Sequence, residues 1–346
     1  MIRVLIVEDS PLIAVMMRDM LADDSEISVV GWAKNGQEAI DLRESLNPTV
    51  ITMDLNMPLL SGLEAIRAIC SSRPVPIIVV SGLIDGPDSE LAFKALQSGA
   101  VDIMNKPEAR GAQGFSRIKE ELISRVKSAA RIRPFYPKSN TLKQNPAGKK
   151  NSASPMDGLL AIGASTGGQP ALVTLLKALP RSFPYPIAVV QHITPGFLGG
   201  LVRWMERETG FSVKVSTQRE PLRQGTVYLA DDNQHLEIGP EKNVLLTHRP
   251  PVHGHRPSAD RLLESAAGVY GQHTIGVLLT GIGSDGAEGL KKVRDARGKT
   301  IVQDEATCLV FGMPKSAILK GAAEVVCPLE RIAEEILLGL SKGREA

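Results

Sequence analysis

This chain of 346 residues has only three cysteines, Cys70, Cys308 and Cys327. They are odd in number, scattered, and without metal-ligand spacing. That argues against a disulfide framework or a cysteine-held metal and suits reduced thiols in a cytosolic protein. No uninterrupted apolar stretch approaches the length of a transmembrane helix, so membrane insertion is not expected. The opening run Met1-Ile2-Arg3-Val4-Leu5-Ile6-Val7-Glu8-Asp9 is too short for a signal peptide and reads as a strand. An excess of one charge is also missing. The 40 basic residues face 38 acidic ones, a net of +2, which leaves no global bias toward nucleic acid. At 43% apolar and 23% charged, the composition is that of a soluble globular protein long enough for two domains with ordinary cores.

What is present is alternation. Short β-branched runs at 3–7, 29–33, 50–53, 77–80 and 101–104 alternate with amphipathic helical patterns near 11–21, 36–46, 62–69, 89–97 and 114–129. Strand–helix alternation of this length predicts an α/β fold with a doubly wound parallel sheet. The expected domains are 1–127, a flexible basic linker at 128–156, and 157–346. The linker is rich in Pro, Asn, Ser and Lys and carries Arg131, Arg133, Lys138, Lys143, Lys149 and Lys150. It reads as a solvated tether or as a docking segment for an acidic partner. A second alternation begins after Asp157. Shorter strands at 213–216, 227–229, 235–238 and 244–247 interrupt it and read as hairpins, and the parallel pattern resumes at Ile275.

In the first half, Glu8 and Asp9 end the first strand, Asp54 the third and Ser81 the fourth, while Lys106 follows the fifth. Carboxyl ends of parallel strands share one edge, so these residues are expected to converge. Crowded carboxylates repel one another and call for a cation; oxygen-only ligands suit Mg²⁺. A carboxylate beside Mg²⁺ can attack a phosphoryl group, with Lys106 and the Ser81 hydroxyl on its oxygens. The plainer alternative is that Glu8 and Asp9 only cap the helix beginning near Pro11.

In the second half, a hydroxyl, an imidazole and a carboxylate each follow a buried-strand pattern. Ser165 lies in Gly163-Ala164-Ser165-Thr166-Gly167-Gly168, His192 follows Ile187-Ala188-Val189-Val190-Gln191, and Asp285 lies in Thr280-Gly281-Ile282-Gly283-Ser284-Asp285-Gly286. Gly163-x-Ser165-x-Gly167 fits a sharp strand-to-helix turn that exposes a nucleophile beside backbone N–H groups. Such turns also bind phosphates. The full Gly-x-Gly-x-x-Gly spacing is missing, however, and His192 stands where an acidic ribose ligand would end the next strand. Separately, His192 reads as a satisfied strand-end histidine and Asp285 as the cap of a helix at 286–293. Together they read as nucleophile, base and orienter. His253 and His255 form a His-x-His pair in a Pro- and Gly-rich loop, read as surface or substrate-contacting rather than metal-binding. Ser258 reads as a helix cap.

The first 125 residues or so resemble the response-regulator receiver family. The resemblance implies a flavodoxin-like domain with Asp54 as phosphate acceptor, in Met53-Asp54-Leu55-Asn56-Met57-Pro58, and with Mg²⁺ held by Glu8, Asp9, Asp54 and the Asn56 carbonyl. Glu8 stands where Asp is more usual, and Ile103 where many receivers carry an aromatic switch residue. Residues 157–340 resemble the catalytic domain of the chemotaxis protein-glutamate methylesterases, the CheB family. The carrying stretches are 162–168, Val190-Gln191-His192, Arg256-Pro257-Ser258-Ala259-Asp260, 279–286 and 310–317. This resemblance implies a Rossmann-like domain with Ser165 as nucleophile, His192 as base and Asp285 as orienting carboxylate. It implies that Thr166 helps orient the imidazole and that the Ile282 N–H is an oxyanion donor. No cofactor is expected for ester hydrolysis.

The implied function is phosphorylation-activated hydrolysis of glutamyl methyl esters on chemoreceptors, with release of methanol and with receptor glutamine deamidation as a second activity. Implied partners are methylated chemoreceptor cytoplasmic domains and a chemotaxis histidine kinase, in the cytoplasm. The unphosphorylated receiver is expected to restrain the hydrolase. The rival readings are a non-catalytic receptor-binding adaptor, an esterase of another chemosensory-like system, and a transcriptional regulator. The last lacks a helix-turn-helix or a basic recognition helix.

Overall fold

The alternating apolar runs fold into two units, Met1–Asn140 and Thr141–Ala346. The structure, a computed structural model, describes residues 1–82, 87–107, 111–132 and 157–342. Most of the expected linker therefore lies outside the described residues.

The first unit runs β1 (Ile2–Val7), α1 (Pro11–Ala22), β2 (Ile27–Ala33), α2 (Gly36–Leu46), β3 (Val50–Met53), α3 (Gly62–Ser72), β4 (Ile77–Ser81), α4 (Pro87–Gln97), β5 (Asp102–Asn105) and α5 (Gly111–Ala129). All pairings are parallel, in the order β2-β1-β3-β4-β5. This is the flavodoxin-like order, whose switch point lies between β1 and β3. Every residue of β3 and β4 is buried, as expected for strands with helices on both faces. Local chemistry starts the helices. Asn35 accepts from the Glu38 N–H at α2, and Ser61 and Glu64 form a reciprocal capping box at α3. α5 ends at Ala129, slightly past the expected domain boundary at 127.

The second unit runs β6 (Leu159–Ala164), α6 (Gly168–Ala178), β7 (Ile187–Gln191), α7 (Leu198–Thr209), β8 (Ser212–Val215), β9 (Thr226–Leu229), β10 (His235–Ile238), β11 (Val244–Thr247), α8 (Ala259–Tyr270), β12 (Thr274–Leu278), α9 (Ala287–Asp295), β13 (Lys299–Gln303), α10 (Met313–Leu319), β14 (Val325–Cys327) and α11 (Leu329–Lys342). Its main sheet has the order β14-β13-β12-β6-β7-β9-β8. The chain builds outward from β6 in one direction, then returns to add β12 on the other side. β6 is thus the switch point where ligand crevices form.

One expectation needs correction. Of the four short strands read as hairpins, only β10 and β11 pair antiparallel with each other. β8 and β9 run parallel to each other, and β9 runs parallel to β7, so both extend the main sheet. Sequence length alone does not distinguish a short edge strand from a hairpin arm; the connection from β8 to β9 crosses over, and the two pair parallel.

The core beneath the switch point is largely aliphatic. Leu159 and Ala161 of β6, Leu262 and Leu263 of α8, Leu278 of β12 and Leu290 of α9 are completely buried in one cluster. Each buried leucine contributes roughly 1.5–3 kcal/mol relative to exposure. No helix among the described residues is long and apolar enough to cross a membrane.

Candidate active site

Strand register brings the hydrolytic residues together. In the β6–β7 ladder Ala164 pairs with Gln191, so the next residues, Ser165 and His192, leave adjacent strands side by side. The His192 N–H donates to the Ala164 carbonyl at 2.9 Å. The Gln191 side-chain amide donates to both the Ser165 and His192 carbonyls, each at 2.8 Å, tying the two strand ends together. On the other side, the Ser165 N–H donates to the Thr280 carbonyl at 3.1 Å. The Thr280 hydroxyl donates to the Thr166 carbonyl at 3.0 Å. A Cβ on Gly281 would lie 2.7 Å from Ser165 Cβ and 2.4 Å from Met313 Sδ, so only glycine permits this approach.

Asp285 is completely buried, and four donors converge on its carboxylate. The Ser258 hydroxyl donates at 2.6 Å, the Ala259 N–H at 2.7 Å and the Asp260 N–H at 3.2 Å. His192 Nε2 completes the set at 2.8 Å. Burial alone pushes this carboxyl up. The imidazole, the Ser258 hydroxyl and the Ala259 N–H outweigh it and hold Asp285 at about 2. The N-terminus of α8 adds its favourable dipole. Asp285 therefore caps a helix, though not the one that follows it. Gly286 precedes α9, and the carboxylate serves the distant α8 instead. Ser258 occupies the capping position of α8 but gives its hydroxyl to Asp285 rather than to its own helix. That corrects its reading as a simple cap.

A carboxylate bound to Nε2 fixes that nitrogen as the protonated one. Nδ1 of His192 is buried and has no hydrogen-bond partner among the described residues. It is the lone pair available for the serine proton. Ser165 is almost buried, and among the described residues its hydroxyl makes no hydrogen bond to the ring. Thr166 enters the site through its carbonyl; among the described residues its hydroxyl makes no hydrogen bond to His192. Among the described residues the Ile282 N–H has no protein acceptor. Among the described residues, neither His253 nor His255 belongs to a cluster of potential metal ligands. His255 instead stacks on His192, and His253 Nε2 faces the buried Asp260 at 3.3 Å.

The first unit assembles its predicted pocket at the β1/β3 switch point. Ligand oxygens of Glu8, Asp9 and Asp54 all lie within 4.8 Å of one another. Glu8 and Asp54 are buried, while Asp9 is exposed. Lys106 Nζ reaches Glu8 at 2.8 Å and Asp54 at 2.9 Å. Asp54 Oδ1 accepts the N–H groups of Leu55 and Asn56 at 2.7 and 3.4 Å. Burial raises the Asp54 pKa against the opposing pull of Lys106. Burial also raises Glu8, helped by the charge on Asp54. Glu8 Oε2 is buried with no hydrogen-bond partner among the described residues. Three clustered carboxylates with one orphaned oxygen fit a hard, oxygen-liganded cation such as Mg²⁺. Ser81 is buried at the end of β4, where its carbonyl accepts the Lys106 N–H at 2.7 Å.

Comparison with known proteins matches both units. A family model described as CheB methylesterase matches residues 160–336, and one described as response regulator receiver domain matches residues 4–113. A protein-glutamate methylesterase/protein-glutamine glutaminase of Methanospirillum hungatei is 37% identical over 350 residues, covering 100% of each chain. A protein of the same description from Pyrococcus abyssi is 36% identical over 342 residues, covering 97% of this chain and 93% of its own. The crystal structure of the Thermotoga maritima CheB methylesterase catalytic domain is 38% identical with a TM-score of 0.51, and the match covers 52% of this chain and 97% of that one.

Proposed function

The chain belongs to the CheB methylesterase family and carries a response-regulator receiver domain. From that premise we propose that it hydrolyses glutamyl methyl esters on chemoreceptors under control of Asp54 phosphorylation. The observation that carries this reading is the buried Asp285 carboxylate bound to His192 Nε2, with Nδ1 unpartnered among the described residues and Ser165 leaving the adjacent strand.

The Ser165 Oγ bonds to the ester carbon as its proton passes to His192 Nδ1. Asp285 stabilises the resulting imidazolium through Nε2–H. The oxyanion receives the Ile282 N–H. Collapse breaks the carbon–methoxy bond, and the imidazolium protonates the departing methoxy oxygen to give methanol. Water, deprotonated by the same nitrogen, then cleaves the acyl-serine and leaves a glutamate carboxylate. The same sequence on a glutamine side chain releases ammonia, in keeping with the glutaminase named in the relatives' descriptions.

In the receiver, Glu8, Asp9, Asp54 and the Asn56 carbonyl would hold Mg²⁺, which when bound offsets the charge gathered at the phosphoryl group. A carboxylate oxygen of Asp54 attacks phosphorus and the donor's leaving group departs. Lys106 and the Ser81 hydroxyl bind the transferred group's oxygens. A chemotaxis histidine kinase would supply that group. The unphosphorylated receiver would restrain hydrolysis.

The test is methanol release from methylated chemoreceptor membranes by wild type and Ser165→Ala, with and without a small phosphodonor plus Mg²⁺. Ser165-dependent release that rises with phosphodonor is expected. No release from the folded wild type under either condition would return the adaptor reading.

A further inference from the structure

The catalytic imidazole has a second, unassigned histidine laid against it. The ring centroids of His192 and His255 are 3.9 Å apart and the planes differ by 7°. The loop that delivers His255 is built to hold it there. Val252 and His255 exchange backbone hydrogen bonds at 3.0 and 2.8 Å across a tight turn. The turn's central residues, His253 and Gly254, take φ of 49° and 79°, the left-handed pair that such a turn needs. The next residue, Arg256, clamps the loop: its guanidinium donates twice to Asn233 Oδ1, at 2.9 and 2.7 Å, and to the His248 and Arg249 carbonyls at 3.3 and 3.2 Å. Two residues further on, Ser258 binds Asp285. One short segment therefore supports the catalytic ring on its face and the orienting carboxylate on its edge.

The ring itself suits the task. Burial, then the neighbouring His192 and His253, push His255 down to about 4, against the opposing pull of Asp285. His255 is thus neutral at neutral pH. A neutral ring can lie flat on an imidazole that becomes cationic during each cycle, where a second cation would repel it.

We propose that His255 is a positioning residue, holding the His192 ring in the plane that joins Ser165 to Asp285. The proposal rests on the assignment of Ser165, His192 and Asp285 as the hydrolytic set. The ring has one hydrogen-bonded nitrogen and is otherwise free to rock about that bond. Face-to-face packing removes that freedom and limits where Nδ1 can point. Misplacement of a reacting group by even a fraction of an ångström is costly in rate.

The experiment compares full-length wild type, His255→Phe and His255→Leu. Both variants fill the site, but only phenylalanine restores a flat face. Two rates are read: methanol release from methylated chemoreceptor membranes, resolved into kcat and KM, and labelling of Ser165 by a fluorophosphonate probe. We expect leucine to lower kcat and labelling about tenfold with KM within about twofold, and phenylalanine to stay within about threefold of wild type. Thermal unfolding checks each variant, and His255→Gln replaces leucine if leucine does not fold. Leucine or glutamine matching wild type, or phenylalanine falling as far as either, overturns the proposal. Wild type that labels at Ser165 but releases no methanol overturns the substrate reading and leaves the labelling rates to decide the role of His255. Wild type that does neither overturns both.

Discussion

Asp54 and Asp285 follow strands of parallel sheets and lie at switch-point edges, and both are buried. Their acidities move in opposite directions. Around Asp54 the charge is crowded: Glu8 and Asp9 lie close by, and Lys106 is divided between two carboxylates. Burial wins and the pKa rises. Around Asp285 a serine hydroxyl, two helix N–H groups and an imidazole converge on one carboxylate. Donors win and the pKa falls to about 2. One arrangement leaves negative charge unsatisfied and suits a carboxylate that binds a cation and accepts a phosphoryl group. The other saturates the carboxylate and leaves it only the work of orienting a ring. On the same α/β scaffold, the balance of donors against carboxylates separates an aspartate suited to accept a phosphoryl group from one suited to orient a ring.

The largest test of this contrast swaps each aspartate for asparagine. Asp285→Asn loses the charge that fixes the imidazole tautomer, and kcat for methanol release should fall about 10⁴-fold. Asp54→Asn should leave the unstimulated rate unchanged and abolish the response to phosphodonor. Equal losses in the two variants would break the comparison.

Lys106→Met should come next. It leaves buried Glu8 and Asp54 uncompensated, and without Mg²⁺ at neutral pH the receiver should lose roughly 3 kcal/mol in urea unfolding. Added Mg²⁺ should restore part of it. An unchanged midpoint would mean that the lysine contributes nothing to the charge balance.

Ser258→Ala sharpens the other side. It removes one of the donors on Asp285 and should reduce kcat about tenfold, a loss of roughly 1–3 kcal/mol for a hydrogen bond to a buried charge. The pH response follows from the sign of the shift. The folded value near 2 lies below the ordinary aspartate value of 3.8, so the stability owed to Asp285 is present above 3.8 and fades as pH falls through about 2. Removing the Ser258 donor raises the folded value, so the variant should gain less stability than wild type between pH 2 and 4. Urea titrations across that range read the difference.

The smallest effect is expected at Ile282. Its assigned part is its backbone N–H, so Ile282→Met should change kcat less than about twofold. A larger loss would show that the side chain shapes the site.

Much of this was legible in the chain because it is local. Buried β-branched runs gave the strands, amphipathic patterns gave the helices, and each predicted site residue followed an apolar run. The general rule for carboxyl edges then placed them together. What escaped was contact between distant segments. Ser258 looked like the cap of its own helix, since an extended serine before a helix ordinarily is one. His255 looked like a loop residue because nothing in a His-x-His spacing tells which ring it will lie against. β8 and β9 looked like hairpin arms because their short length hides the crossover between them.

By itself, then, the sequence determined the two α/β units, the chemistry of each strand end and the family. Periodicity and turn residues act over a few positions and need no partner. Only the tertiary structure decided which nitrogen of His192 meets Asp285, which helix that carboxylate caps and which ring lies on the imidazole. Those outcomes depend on a hydrogen bond or a stacking contact between side chains tens of residues apart, and such contacts exist only once the packed sheets bring the loops together.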